Sequence, residues 1–348
     1  MRHLRGSAVA GAGVALGIAA LAAAARPPVQ GGEPRYVRVY AGRYDAFPSA
    51  VLLRNGDLLV AFRTGGGHIG PDGKIALARS KDGGSTWSTA VIFDNAGVDD
   101  RTDLGLTQLR DGTLVLPFFD LTWAPDGTNS ARAFLITSRN NGRTWSPPRQ
   151  ITIPQSSWVA VYGRIVERRD GTLLEPAYIR RDGTLVSVLL ESRSRGARWA
   201  LRSTIAVDGG NETSVLALGR RRLLGFVRGG YPTAVATISQ VISRDAGRSW
   251  SKPRLLFRDR VSPDVIRLRN GHLLLCVGDR SENPGVSCQV SKDGRSWSSG
   301  KLIFRATNKD IGYPSSVQLS GGKILTAYYS DAWHIDAAIF SERFLLRR

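Results

Sequence analysis

Beyond residue 30 the chain alternates short apolar runs with polar turns, and no stretch sustains helical periodicity. Six times a turn of the Asn-Gly or Asp-Gly type, or a close variant, separates two apolar runs. The copies are Leu53-Arg54-Asn55-Gly56-Asp57-Leu58, Leu109-Arg110-Asp111-Gly112-Thr113-Leu114, Arg168-Arg169-Asp170-Gly171-Thr172-Leu173, Gly219-Arg220-Arg221-Arg222-Leu223, Leu268-Arg269-Asn270-Gly271-His272-Leu273 and Leu319-Ser320-Gly321-Gly322-Lys323-Ile324. Such turns between strand-like runs are a strong hairpin signal. Hairpins recurring about every fifty residues predict an all-β fold, a β-propeller with one four-stranded sheet per blade. Six hairpins imply six blades. The sixth runs out of chain one strand short, after Ala337-Ala338-Ile339-Phe340, and the alternating segment Tyr36-Val37-Arg38-Val39-Tyr40 is placed to supply that strand and close the ring.

A second motif, S-x-D-x-G-x-x-W, alternates with the hairpins. It is intact at Ser80–Trp87 and Ser243–Trp250, carries Asn for Asp at Ser138–Trp145, is one residue shorter at Ser291–Trp297, and is degraded at Ser192–Trp199, where Ser194 takes the acidic place. These units resemble the Asp boxes of the sialidase (neuraminidase) superfamily of six-bladed propellers, and the resemblance covers residues 36 to 345. In that family the boxes staple the outer strands and lie away from the active site, so they speak for the fold and not for the function.

Composition changes the picture at one end of the chain. Arg2 and Arg5, the apolar run from Ala8 to Leu21 and the small residues Ala23-Ala24-Ala25 form the pattern of a secretory signal peptide, residues 1–25, which leaves 26–348 as one propeller domain. An uncleaved N-terminal anchor is the alternative. The net charge of +19 comes from 48 Lys+Arg against 29 Asp+Glu, and cleavage after Ala25 would remove only Arg2 and Arg5. The basic residues are scattered through turns without a long basic tract or an aromatic ladder. That pattern argues against a nucleic-acid partner and favours diffuse attraction to acidic extracellular polymers. The apolar content of 42 % excludes a disordered chain, and outside the leader no segment is long and apolar enough to span a membrane.

Candidate chemistry follows from comparing equivalent positions in the six repeats. Nine residues before each hairpin turn stand Phe47, Asp103, Tyr162, Glu212, Ser262 and Tyr313, with Asp264 close by. Seven residues after it stand Arg63, Phe119, Tyr178, Arg228, Gly278 and Tyr329, followed in the fifth repeat by Asp279 and Arg280. If the repeats are equivalent, acids, tyrosines and arginines surround one cavity. The resemblance assigns roles. Asn211-Glu212-Thr213-Ser214-Val215 with Arg228 is similar to the family segment bearing a general-base Glu and a clamping Arg, and Tyr313-Pro314-Ser315-Ser316 to that bearing the nucleophilic Tyr. It also implies Asp72, in the loop from Gly65 to Gly73, as acid/base and Arg280 as a further clamp. A Tyr attacks only if a neighbour takes its proton, which is the role implied for Glu212. A neutral nucleophile also spares an acidic substrate the repulsion of a carboxylate, and Arg forks suit a carboxylate.

One departure stands out. Where the family has Arg-Ile-Pro, this chain has Ala46-Phe47-Pro48, so the first clamping Arg is absent; Arg43 or Arg63 would have to reach in from the side. The expectation is a secreted exo-glycoside hydrolase acting on sialic acid or a related acidic terminal sugar of a glycan or glycoconjugate. Two alternatives stay open: a glycosidase of the same fold that pairs Glu212 with Asp103 or Asp264, and a glycan-binding propeller without turnover. Neither a metal nor an organic cofactor is implied, and His68 reads as a loop residue because no second His or Cys lies at ligand spacing. Cys276 and Cys288 fall on adjacent strands of the fifth blade, either as a cross-strand disulfide or as two buried thiols.

Overall fold

The computed structural model describes residues 34–207, 209–230 and 235–347; the predicted leader, 1–25, lies outside them. Six antiparallel sheets follow one another along the chain. The first comprises Tyr44–Leu52, Leu58–Gly65, Lys74–Ser80 and Ser88–Phe93. The second has a split inner strand, Asp99–Arg101 and Thr107–Gln108, then Leu114–Trp123, Asn129–Ser138 and Arg149–Ile151. The third is likewise split, Val159–Val161 and Val166–Glu167, followed by Leu173–Arg181, Thr184–Ser192 and Ala200–Ala206. The fourth runs Thr213–Ala217, Leu223–Gly229, Thr237–Ser243 and Arg254–Arg258, and the fifth Arg260–Arg267, Leu273–Asp279, Gly285–Ser291 and Lys301–Arg305. The sixth takes Gly312–Gln318, Ile324–Tyr329 and Ile335–Phe340 from the end of the chain and Arg35–Tyr40 from its beginning. Arg35 pairs with Ile339 and Tyr40 with Ile335, so the N-terminal strand closes the ring as its alternating pattern predicts. One short helix, Glu342–Leu346, follows, and no helix among the described residues is long and apolar enough to cross a membrane.

The Asp boxes sit in the turns between the third and fourth strands. Asp82 accepts from the backbone amides of Ser85 (3.0 Å) and Thr86 (2.9 Å), and Ser80 Oγ from the amide of Gly84 (2.9 Å). Asp245 and Ser243 repeat this pattern. In the degraded copy the Ser194 hydroxyl accepts from the Arg198 amide at 2.8 Å, so a shorter side chain fills the same structural role. Each of these bonds satisfies a turn amide that the strands cannot reach.

Apolar faces of neighbouring sheets pack against one another around the ring. The hub is polar. Arg164, two residues beyond Tyr162, reaches from the third blade to an ion pair with Asp264 of the fifth. It also donates to Ser315 Oγ and Ser316 O of the sixth, each at 3.0 Å, and to Ala50 O of the first at 3.3 Å. Asp264 accepts in addition from the Ser316 amide at 2.6 Å. One guanidinium thus satisfies groups from three blades that strand pairing leaves open. In the fifth blade Cys276 and Cys288 face each other on adjacent strands and are joined as a disulfide, fully buried.

Candidate active site

The residues nine positions before each hairpin turn converge because the inner strands are bulged there. In the first, fifth and sixth blades two inner-strand residues stand against one of the neighbouring strand, between Ala46 and Ser49, Val261 and Asp264, and Gly312 and Ser315. The bulged dipeptides are Phe47-Pro48, Ser262-Pro263 and Tyr313-Pro314. Proline bars right-handed helical backbone to the residue before it and brings no N–H to leave unpaired. Phe47, Ser262 and Tyr313 accordingly adopt φ of 58°, 54° and 50°. In the second blade Asp103 (20°) and Leu104 (67°) make a comparable turn. For bulky side chains this left-handed backbone costs about 1–3 kcal/mol each, and strain of that kind concentrates at functional sites.

The bulges aim their side chains at one point. Tyr313 Oη donates to Glu212 Oε1 at 2.5 Å, Arg228 Nη1 donates to the same oxygen at 2.6 Å, and Ser262 Oγ donates to Oε2 at 2.9 Å. The Tyr313 ring meets Phe47 edge-on at 4.7 Å and Tyr162 at 6.3 Å. All these groups are buried or nearly so. Burial works to raise the Glu212 pKa, but the Arg228 charge and the hydrogen bonds from Arg228, Tyr313 and Ser262 outweigh it, and the carboxyl lies below its ordinary range. Burial, reinforced by the charges of Glu212 and Asp103, pushes the Tyr313 phenol well above its usual value. The resting pair is therefore a neutral phenol hydrogen-bonded to a carboxylate. The phenol's proton moves only as its oxygen commits to a new bond.

Glu212, the acceptor of this pair, lines a cavity of about 590 Å³ together with Arg228, Arg101, Phe119, Tyr178, Trp158 and His68, while Tyr313 lies behind Glu212. Arg101 comes from the short inner strand of the second blade and is missed by the repeat comparison, since it lies two residues before the column position Asp103. Its guanidinium stacks 4.0 Å above the Phe47 ring and pairs with Asp99 at 3.6 Å. Beside it Asp103 is buried, and its Oδ1 has no hydrogen-bond partner among the described residues. Desolvation, opposed by Arg101 and aided by Glu212, pushes its carboxyl up to about 7.

The other sequence candidates are placed differently. Arg63 is fully buried, bonded to Asp99 at 2.5 Å and to Gly67 O at 2.7 Å, where it holds the 65–73 loop and lines no part of the cavity. Asp72 is exposed, and its carboxylate folds back over Gly66 and Gly70 of its own loop. Arg280, whose backbone amide donates to Asp259 O at 2.8 Å, is not among the residues that line the cavity. Tyr162 donates to Pro263 O at 3.2 Å behind Tyr313, and Asp264 is held in the hub by Arg164. A group whose members sequence reading does not bring together surrounds Asp310. Its carboxylate accepts from Tyr44 Oη (2.7 Å), Tyr329 Oη (3.0 Å) and Trp333 Nε1 (3.2 Å), and His68 Nδ1 lies 3.2 Å from it.

A family model described as a BNR repeat-like domain matches residues 56–325. Among curated proteins, a sialidase of Clostridium perfringens is 25 % identical over 61 % of this chain and 62 % of its own length, and a sialidase of Paraclostridium sordellii 23 % identical over 60 % and 57 %. The chain thus spans about three fifths of the length of these relatives. Among solved structures, a Dyadobacter fermentans protein of unknown function superposes with a TM-score of 0.78 at 23 % identity, covering 88 % of this chain and 97 % of that one. A Trypanosoma rangeli sialidase in complex with sialic acid reaches 0.70 at 13 % identity, over 89 % and 58 %. At such identities the structural likeness speaks for the fold.

Proposed function

The chain belongs to the BNR repeat-like domain family and has the six-bladed sialidase fold, and from that premise we propose that it is a retaining exo-glycoside hydrolase acting on an acidic terminal sugar. The observation that carries this reading is the 2.5 Å hydrogen bond from Tyr313 Oη to Glu212 Oε1, the Glu212 side lining a cavity that Arg101 and Arg228 also line. In this reading Tyr313 is the nucleophile. As its oxygen bonds to the anomeric carbon, its proton passes to Glu212, and the glycosidic bond breaks with its electron pair going to the departing oxygen. Arg228 steadies Glu212 and, with Arg101, offers the positive charge that an acidic substituent needs. Arg101 covers the residue next to Ala46, where the family's first Arg is absent, and so is the stand-in for it. Trp158 and Tyr178, which line the same cavity, supply apolar surface for the sugar ring.

A second reading, an ordinary carboxylate pair of Glu212 and Asp103, is favoured by Asp103 Oδ1, which is buried without a partner among the described residues, and by the burial that pushes this carboxyl up to about 7. Export belongs to the proposal as well: a buried disulfide suits an oxidising compartment, in keeping with the leader-like first 25 residues. The test is hydrolysis of the 4-methylumbelliferyl glycosides of N-acetylneuraminic acid and of glucuronic acid by wild type and Tyr313→Phe. Turnover lost in the variant supports the Tyr nucleophile, whereas turnover that survives favours the carboxylate pair. A folded wild type inert toward both substrates refutes the hydrolase reading and leaves glycan binding.

A further inference from the structure

A Tyr–Glu pair accounts for bond formation at the anomeric carbon but leaves the departing oxygen without a proton, and the arrangement of the 65–73 loop bears on where that proton comes from. Asp72, the loop's only carboxylate, is exposed and turned back over its own loop glycines. His68, four residues earlier, forms part of the cavity margin together with Glu212, Arg101 and Arg228. Its ring stands edge-on against Phe47 at 5.3 Å, and Phe47 in turn touches Tyr313 at 4.7 Å, so a single aromatic ring separates the imidazole from the nucleophile.

The imidazole is also oriented. Nδ1 lies 2.7 Å from Tyr44 Oη and 3.2 Å from Asp310 Oδ1. The Tyr44 hydroxyl has one hydrogen, and it is directed to Asp310 Oδ2 at 2.7 Å, so the Tyr44 oxygen accepts from Nδ1–H. Asp310 is in turn fixed by Tyr329 and Trp333. Desolvation works to raise its pKa, but the bonds from His68 and Tyr44 outweigh that, and Asp310 is held as a carboxylate well below the usual range. A carboxylate that orients a histidine through Nδ1 leaves Nε2 to exchange protons with a substrate. Nε2 has no hydrogen-bond partner among the described residues. The charged groups around this histidine are Asp310, within 3.2 Å of Nδ1, and Arg101, Glu212 and Arg228, which line the same cavity; the Tyr44 phenol bonds Nδ1 and that of Tyr329 bonds Asp310.

From this placement, and resting on the hydrolase reading above, we infer that His68 is the general acid/base of the reaction, with Asp310 and Tyr44 as its positioning residues. In the first half-reaction the departing oxygen receives the glycosidic electron pair and takes the Nε2 proton of the imidazolium. In the second, neutral His68 takes a proton from water, the water oxygen attacks the anomeric carbon, the bond to Tyr313 Oη breaks, and Glu212 returns its proton to the phenol. The atoms balance with water as sole co-reactant.

The experiment compares His68→Gln, Asp72→Asn and Asp103→Asn on two glycosides of one sugar, the 4-nitrophenyl and the methyl glycoside of N-acetylneuraminic acid (glucuronic acid if only that is cleaved). A missing acid matters little when the leaving group is already acidic. His68→Gln is expected to lose about 10²- to 10⁴-fold in kcat/KM on the methyl glycoside and far less on the nitrophenyl one. Azide should then restore nitrophenyl turnover with glycosyl azide as product, a signature that a merely structural defect does not produce. The same signature at Asp72 or Asp103 instead of His68 overturns the inference and leaves the hydrolase reading standing. A folded wild type inert toward all these substrates removes both.

Discussion

The Arg101 guanidinium lies 4.0 Å from the centre of the Phe47 ring, a cation held over the bulged residue that follows Ala46. Asp103 and Asp99 compensate its burial, and together they raise its affinity for its proton against the desolvation that would lower it. Its Nε has no hydrogen-bond partner among the described residues. Arg101→Gln should therefore weaken capture of an acidic sugar by about 10- to 100-fold in kcat/KM, the worth of one charge-assisted hydrogen bond of about 1.5–3 kcal/mol. The loss should be carried mainly by KM. Steady-state kinetics on the acidic glycoside and its neutral methyl ester check this, because the ester should lose far less.

Arg164 and Asp264 carry a prediction about stability. Removing one partner of a buried ion pair strands the other charge, at a cost of about 3–5 kcal/mol. Arg164→Met should lower the denaturant midpoint by an amount of that order, and Arg164→Met/Asp264→Leu should recover part of it by removing the stranded carboxylate. A double variant as unstable as the single one would show that the bonds to Ala50, Ser315 and Ser316 outweigh the ion pair.

Glu175 makes stability depend on pH. Its side chain is fully buried in the third blade, neither carboxylate oxygen has a hydrogen-bond partner among the described residues, and burial alone raises its pKa well above the ordinary value. The native state thus binds a proton that the unfolded chain releases. Stability from this group is complete below the unfolded pKa and falls as pH rises toward the folded one. Glu175→Met, which removes the buried carboxyl at similar volume, should raise Tm more at pH 8 than at pH 5. Equal shifts at the two pH values would contradict it.

The fifth-blade disulfide closes a loop of sequence separation 12. Constraint of the unfolded chain by so short a loop is worth about 2–3 kcal/mol, so Cys276→Ala/Cys288→Ala should lose that much in equilibrium unfolding. Intact mass after denaturation should be two daltons lower without reductant than with it, and equal masses would show free thiols.

The blades were legible because a propeller repeats its local problem: five of the six hairpins turn on a left-handed glycine, and the outer turns need a side chain to satisfy their amides. The ring of Phe47, Asp103, Tyr162, Glu212, Ser262 and Tyr313 was legible for the same reason, equal offsets in equivalent strands. Arg101 and Arg164 were not, because each lies two residues from that column, in split strands where Asp99-Asp100-Arg101 reads like an exposed edge. The Asp310 group was hidden further: Tyr329 stands in a repeat column, but Asp310, His68 and Trp333 lie outside the strands and Tyr44 at a strand's start, at offsets the repeats do not share. A signal for the bulges was present in Phe47-Pro48, Ser262-Pro263 and Tyr313-Pro314, the same dipeptide pattern at one offset in three repeats. Asp72 shows the opposite case: a loop position alone does not say which way a side chain turns.

The seam between Arg35–Tyr40 and Ile335–Phe340 joins the two ends of the described chain, and its antiparallel register sets Arg35 beside Ile339. Because nearly the whole chain forms the loop that this seam closes, its pairing carries the largest entropic cost and is expected last in folding. Tension applied through both termini also bears on adjacent ends of the two strands. It opens the ladder one rung at a time instead of shearing every rung together, so under load the ring gives way first at its own fastening.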